Sequence, residues 1–113
     1  MPFISCATNN KITLNQEKEM VRKFGELITL LPGKKEENLM LRLEDDQVMY
    51  FRGKAIPCMM ISVKLYKEMD LNAKKIFTET LTKTVYEITN IEVGNIYVSF
   101  DEYQNWGKQG TLV

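Results

Sequence analysis

The sequence predicts an α+β domain in which two β-α-β repeats form a four-stranded mixed sheet with two helices on one face. Three observations lead there. Two amphipathic segments each lie between strand-like runs, so the order strand–helix–strand occurs twice. The two halves also line up at an offset of 57 residues: Leu14-Asn15 matches Leu71-Asn72, Phe24 matches Leu81, Ile28 matches Val85, Leu39 matches Ile96, and Pro2 falls opposite Met59. A β-α-β unit crosses over right-handedly, which makes the strands within each half parallel. The 113 residues, 44% apolar and 27% charged, suit one such domain, spanning 1–113, with a core of its own.

Each element has its own signal. Phe3-Ile4-Ser5-Cys6-Ala7 reads as the first strand. From about Asn15 to Leu31, the residues Met20, Val21, Phe24, Leu27, Ile28 and Leu31 recur at helical spacing; Thr13 or Asn15 caps the start and Pro32-Gly33 ends it. Leu39, Leu41 and Leu43 alternate with Met40, Arg42 and Glu44, the pattern of a half-buried strand. Val48 to Phe51 is a short strand between turn signals, and Cys58 to Leu65 a longer one. A second helix from about Leu71 to Ile88 presents Ala73, Ile76, Phe77, Leu81, Val85 and Ile88, with Asp70 or Asn72 as cap. Ile96, Val98 and Phe100 then alternate with Tyr97, Ser99 and Asp101 in the last strand.

With both helices on one face, the other face of the sheet carries Met40, Met60, Ser62, Tyr97 and Ser99. That much exposed apolar area calls for a cover, and copies of the same chain are the simplest one. Lys plus Arg equals Asp plus Glu at 15 each, so charge repulsion does not oppose self-association. The same balance argues against a nucleic-acid or membrane-surface partner, which would draw a basic excess.

The composition also removes whole classes of chemistry. There is no histidine, which excludes serine–histidine and cysteine–histidine catalysis and the usual zinc sites within one chain. Cys6 and Cys58 lie 52 positions apart with no Cys-x-x-Cys, and read as small core residues. No metal and no cofactor is expected. No apolar run approaches the ~20 residues that cross a bilayer, and the start lacks a signal-peptide pattern. The expectation is a cytoplasmic protein whose export, if any, takes a signal-independent route.

Pro2 is the residue with chemistry. A small second residue lets the initiator methionine be trimmed, which turns the Pro2 nitrogen into a secondary amine on a ring of fixed geometry. An N-terminal amine titrates at about 8, far closer to neutrality than lysine. Desolvation and a nearby cation both lower that value, and a drop of about two pH units would leave most of the amine free at neutral pH. Such an amine is a general base.

Met-Pro-Phe-Ile at the start, Pro32-Gly33-Lys34, Asp46-Gln47-Val48-Met49-Tyr50-Phe51, Pro57-Cys58, Ile96-Tyr97-Val98-Ser99-Phe100 and Asn105-Trp106-Gly107 occur in that order. Together they resemble the macrophage migration inhibitory factor (MIF) family of the tautomerase superfamily, over essentially the full length. Each motif is short; the combination with an N-terminal proline is specific. The resemblance implies a homotrimer with active sites between subunits, and keto–enol tautomerisation of phenylpyruvate-type α-keto acids. In some members it implies a secreted, cytokine-like signal with a cell-surface receptor as partner. It assigns Pro2 as catalytic base, with Lys34 binding the substrate carboxylate; from sequence alone Lys35 serves equally.

The same resemblance places Tyr97 in the pocket of a neighbouring subunit, and Ser99 where the family typically has asparagine. Trp106 is either a pocket wall or an intersubunit anchor. The family's Ser-Ile-Gly-like segment is Leu65-Tyr66-Lys67 here, so Tyr66 takes the isoleucine position as a bulkier substrate contact, with no glycine after it. The alternative to the enzyme is an interaction protein of the same fold, with weak or vestigial catalysis. A generic RNA-binding module of this topology lacks the basic, aromatic strand it would need.

Overall fold

The computed structural model describes residues 1–113. Strand β1 (Pro2–Thr8) is followed by helix α1 (Leu14–Leu27), strand β2 (Met40–Glu44), strand β3 (Met59–Tyr66), helix α2 (Leu71–Thr89) and strand β4 (Ile96–Tyr103). A hairpin of β5 (Gly107–Lys108) and β6 (Thr111–Leu112) ends the chain. The sheet order is β2-β1-β3-β4, with β1 parallel to β2, β3 parallel to β4, and β1 antiparallel to β3. Strands β1 and β3 begin at Pro2 and Met59, and helices α1 and α2 at Leu14 and Leu71. The offset of 57 is therefore carried by the backbone itself.

Local chemistry fixes the helix ends. Thr13 caps α1 in a reciprocal box with Gln16, and Asp70 caps α2 by accepting from the Ala73 N–H at 2.9 Å. Helix α1 gives way to a 3-10 turn at Ile28–Leu30, earlier than its apolar stripe implies. Pro32 explains this, because the residue before a proline is pushed out of the helical region and Leu31 is extended (φ −90°, ψ 116°). Gly33 then turns the chain at φ +80°.

The core lies between the helices and one sheet face. Ile4, Ile61, Val63 and Leu65 meet Phe24, Ile28, Phe77, Leu81 and Val85, all fully buried. Val21 and Ile76, expected in the buried stripes, are about half exposed. Each neighbours a fully buried residue (Met20, Phe77) and so lies ~100° further round its helix, off the core-facing side.

Two other expectations change. Val48–Phe51 is not a strand: only a bridge between Phe51 and Lys54 forms, and Val48 is 91% exposed. The segment pairs with neither free edge of the sheet, at β2 or at β4; it is held instead by contacts such as Asn9 Nδ2 donating to the Met49 carbonyl at 3.1 Å. The tail hairpin is the second change, closed by Gln109 (φ 52°) and Gly110 (φ 78°), the double left-handed turn that suits two-residue β-hairpins.

The open sheet face carries the residues expected there, with Met40 and Tyr97 most exposed at 68% and 60%. On this face the Arg42 guanidinium lies 5.4 Å from the centre of the Phe3 ring, donates to Ser5 Oγ at 3.1 Å and pairs with Glu44 at 3.0 Å. No helix is long and apolar enough to cross a membrane.

Candidate active site

Pro2 is the first residue of β1, buried, and paired in register with Leu65 of β3. The sheet therefore holds this end of the chain as firmly as any core strand. In the structure the chain starts at Met1, so the Pro2 nitrogen is a peptide nitrogen and the free amine belongs to Met1. That amine stands in, one residue out, for the one Pro2 would carry after methionine removal. It is already perturbed: burial chiefly, then the neighbouring Lys34 ammonium, then Lys108, lower its pKa from 8.0 to about 6.

Beside it opens a cleft of about 290 Å³. Pro2, Phe3, Met40 and Trp106 supply apolar walls, Asn38 and Gln109 amides, and Lys108 a charge; no carboxylate lines it. A larger hollow of about 460 Å³ lies between α1 and α2, with Ile88 as its single apolar residue among Asn15, Gln16, Glu19, Lys23, Thr84 and Glu87. Size favours that groove, but its lining is almost wholly polar and it lies away from the chain terminus. The convergence of a perturbed amine, cations and apolar walls makes the smaller cleft the candidate site.

Lys34 reaches the amine because of the chain reversal before it. Its own N–H donates to the Leu31 carbonyl at 3.0 Å, closing the turn through left-handed Gly33. Lys35 is exposed, with its ammonium 3.8 Å from Glu37. Of the two lysines, Lys34 is the one that stands beside the terminal amine. Trp106 is half-buried, its ring centre 6.1 Å from that of Tyr103, and the Val113 N–H donates to its carbonyl at 2.9 Å. It is a wall of the cleft.

Tyr66 closes β3 opposite Tyr103, next to the Leu65 that pairs with Pro2. It lies at the right end of the sheet without lining the cleft. Lys67 follows in the left-handed region (φ 67°), its N–H donating to the Tyr103 carbonyl at 2.7 Å and its ammonium 5.1 Å from the Tyr66 ring centre. Tyr97 and Ser99 are elsewhere. Tyr97 pairs with Met60, five residues along β3 from Leu65, which at ~3.3 Å per residue puts it roughly 16 Å from Pro2 along the strand. Its ring meets Phe51 edge-on at 5.3 Å. Ser99 pairs with Ser62, three residues from Leu65. Within one chain neither residue joins the Pro2 site.

Both cysteines are buried and lie outside the cleft; burial pushes the Cys6 thiol up to about 12 and also raises Cys58. A thiol so hard to ionise is a poor nucleophile. The residue that sequence reasoning missed is Lys108. Its signal was present in Gln109-Gly110, a turn pair that folds the tail back and brings Lys108 to the cleft.

A double β-α-β domain with a buried proline at its start, a lysine at the first helix–strand turn and a tryptophan in its tail defines a tautomerase-superfamily fold. The chain belongs to the macrophage migration inhibitory factor (MIF) family, whose model matches residues 1–113. Among solved structures it is similar to MIF2 of Leishmania major, at 20% identity over 100% of this chain and 97% of that one, TM-score 0.92. The MIF-like protein of Entamoeba histolytica follows at 22% identity, 99% and 98% coverage and TM-score 0.87. A protein solved after inactivation by 2-oxo-3-pentynoate, Pt0534, shares the fold at 15% identity, with 96% and 93% coverage and TM-score 0.85. No curated protein matches the chain in sequence.

Proposed function

We propose that the processed protein is a keto–enol tautomerase of α-keto acids, with the Pro2 amine as general base. The observation that carries this reading is the end of the chain itself: Pro2 is buried at the start of β1 against an apolar cleft, and the amine one residue out, that of Met1, is lowered to about 6 by burial and Lys34. In the ketonising direction the neutral Pro2 amine takes the enol proton as the carbonyl reforms, and the ammonium so formed returns a proton to the carbon beside it. In the enolising direction the neutral amine removes that carbon-bound proton, the electron pair forms the C=C bond, and the ammonium returns a proton to the oxygen. An amine titrating near the working pH serves both directions. The Lys34 ammonium binds the substrate carboxylate, and Trp106 packs on the side chain, which suits phenylpyruvate.

The protein would work as a homotrimer. Support comes from the open sheet face, the unpaired Val48–Phe51 segment and the distance of Tyr97 and Ser99 from Pro2: those two residues contribute only if supplied by a neighbouring copy. An interaction protein acting through a receptor is the second reading, favoured by Tyr66-Lys67 in place of the family's smaller segment.

The test begins with intact mass, to establish loss of Met1, followed by an enol–keto assay with phenylpyruvate and a sample blocked at the terminal amine. An α-keto acetylenic acid such as 2-oxo-3-pentynoate should add its mass to the N-terminal peptide. Turnover that survives the block, or a protein that retains Met1 in the cell, removes Pro2 from the mechanism and leaves the receptor reading.

A further inference from the structure

We propose that Lys108 forms a second anion subsite, so that the preferred substrates of this site are α-keto acids carrying a further carboxylate. This rests on the tautomerase reading for its chemistry, but the subsite itself stands on geometry.

Lys108 is the one charged side chain among the residues lining the cleft that contains Pro2 and Trp106. It is not a loose tail lysine. Register pairs Lys108 with Thr111 and Gly107 with Leu112, and the Val113 N–H bonds back to the Trp106 carbonyl at 2.9 Å. The hairpin thus fixes Lys108 two residues beyond the tryptophan wall, half-buried.

Lys108 lines the cleft itself, and Lys34, from the turn after α1, stands beside the terminal amine at its margin without lining it. Neither forms an ion pair within the chain, although Lys35, Arg42 and Lys74 all do. Like charges gathered around a cleft without a carboxylate create a field that a monoanion neutralises only in part. A dianion satisfies both, with its α-keto carboxylate on Lys34 and its distal carboxylate on Lys108. The cleft, about 290 Å³, has room for a four-carbon dianion.

Malate and 2-hydroxybutyrate test the idea without needing turnover. Both are four-carbon 2-hydroxy acids with no enolisable ketone, and they differ by the terminal carboxylate. On the processed protein, calorimetry or NMR titration should show malate binding at least 10-fold more tightly. Lys108→Gln should bring the two within about 2-fold, and Lys108→Arg should restore most of the preference. In the enol–keto assay, the ratio of kcat/KM for oxaloacetate to that for phenylpyruvate should fall at least 10-fold in Lys108→Gln. Equal binding of the two acids, no binding of either, or a malate preference that persists in Lys108→Gln overturns the subsite. A Lys108-dependent preference without turnover of any keto acid supports the subsite and sinks the catalytic reading instead.

Discussion

The two β-α-β halves share a backbone plan but not a chemistry. At an offset of 57, Pro2 corresponds to Met59, left-handed Gly33 to left-handed Asn90, and Lys34 to Ile91. Ile91 is fully buried, whereas Lys34 is partly exposed and meets the chain terminus. The difference follows from connectivity. Strand β3 enters from Cys58, so the equivalent of the Pro2 nitrogen is an internal amide, and its helix–strand turn is spent on packing. Only the first half has a free end there, and only there does a lysine occupy the turn. The duplicated frame thus carries the candidate site in one half and core packing in the other.

Blocking the terminus should produce the largest contrast. Acetylation of the Pro2 amine should lower kcat/KM for phenylpyruvate by about 10²–10⁴-fold, the usual contribution of a general base. Met59→Leu, at the matching place, should leave the rate per folded molecule unchanged. The pH profile sharpens this: if the Pro2 amine titrates near 6 as the Met1 amine does, kcat/KM rises with pH through about 6 and is flat above. The stability sign follows too. An amine whose folded pKa lies below its unfolded value takes up protons more readily when unfolded, so its contribution to stability falls as pH drops from 8 to 6 and is constant below. A measured ΔG of unfolding that rose as the pH was lowered from 8 to 6, once other groups were controlled, would contradict the perturbed amine.

Next in size is the exchange at the matching turns. Lys34→Ile, which imports the second half's character, should cut kcat/KM by about 10–100-fold, the value of a charged hydrogen bond to the substrate. It should also move the terminal amine back toward 8, while denaturant midpoints barely change. Ile91→Ala should do the opposite, costing about 2–5 kcal/mol of stability with no specific effect on KM. A large stability loss in Lys34→Ile, or a KM effect in Ile91→Ala, would mean that the halves are not divided in this way.

The sequence made the shared frame readable because it is written in local signals. Apolar period, Thr13 and Asp70 caps and Pro32 each act over a few residues, and the repeat supplied an independent check on their spacing. Residues that depend on a partner were less readable. Val48–Phe51 has strand character yet pairs with no strand of the sheet, because alternation says nothing of where a segment pairs. Tyr97 and Ser99 have the right residue types but lie along the sheet from Pro2, and type does not encode distance. Lys108 escaped notice because strands of two residues carry no period; the turn alone marks them. Val21 and Ile76 were misjudged since a stripe's edge shifts by ~100° with each residue.

The smallest effect concerns the β3–α2 junction, where the halves diverge in backbone. Lys67 holds φ at 67°, whereas Asn10, its counterpart after β1, is not left-handed. A side chain with a Cβ pays about 1–2 kcal/mol in that region, and glycine avoids this at a cost of about 0.5–1 kcal/mol in unfolded-state entropy. Lys67 also keeps its ammonium over the Tyr66 ring, an exposed contact that offsets a little of the strain. Lys67→Gly should therefore stabilise the fold by about 0.5 kcal/mol, raising Tm by roughly 2 °C. The Lys67 N–H donates to Tyr103 whatever the side chain, so the position of Tyr66 should not change. If Lys67→Gly lowers Tm instead, the ammonium–ring contact outweighs the backbone strain, and Lys67 is held there for the sake of Tyr66.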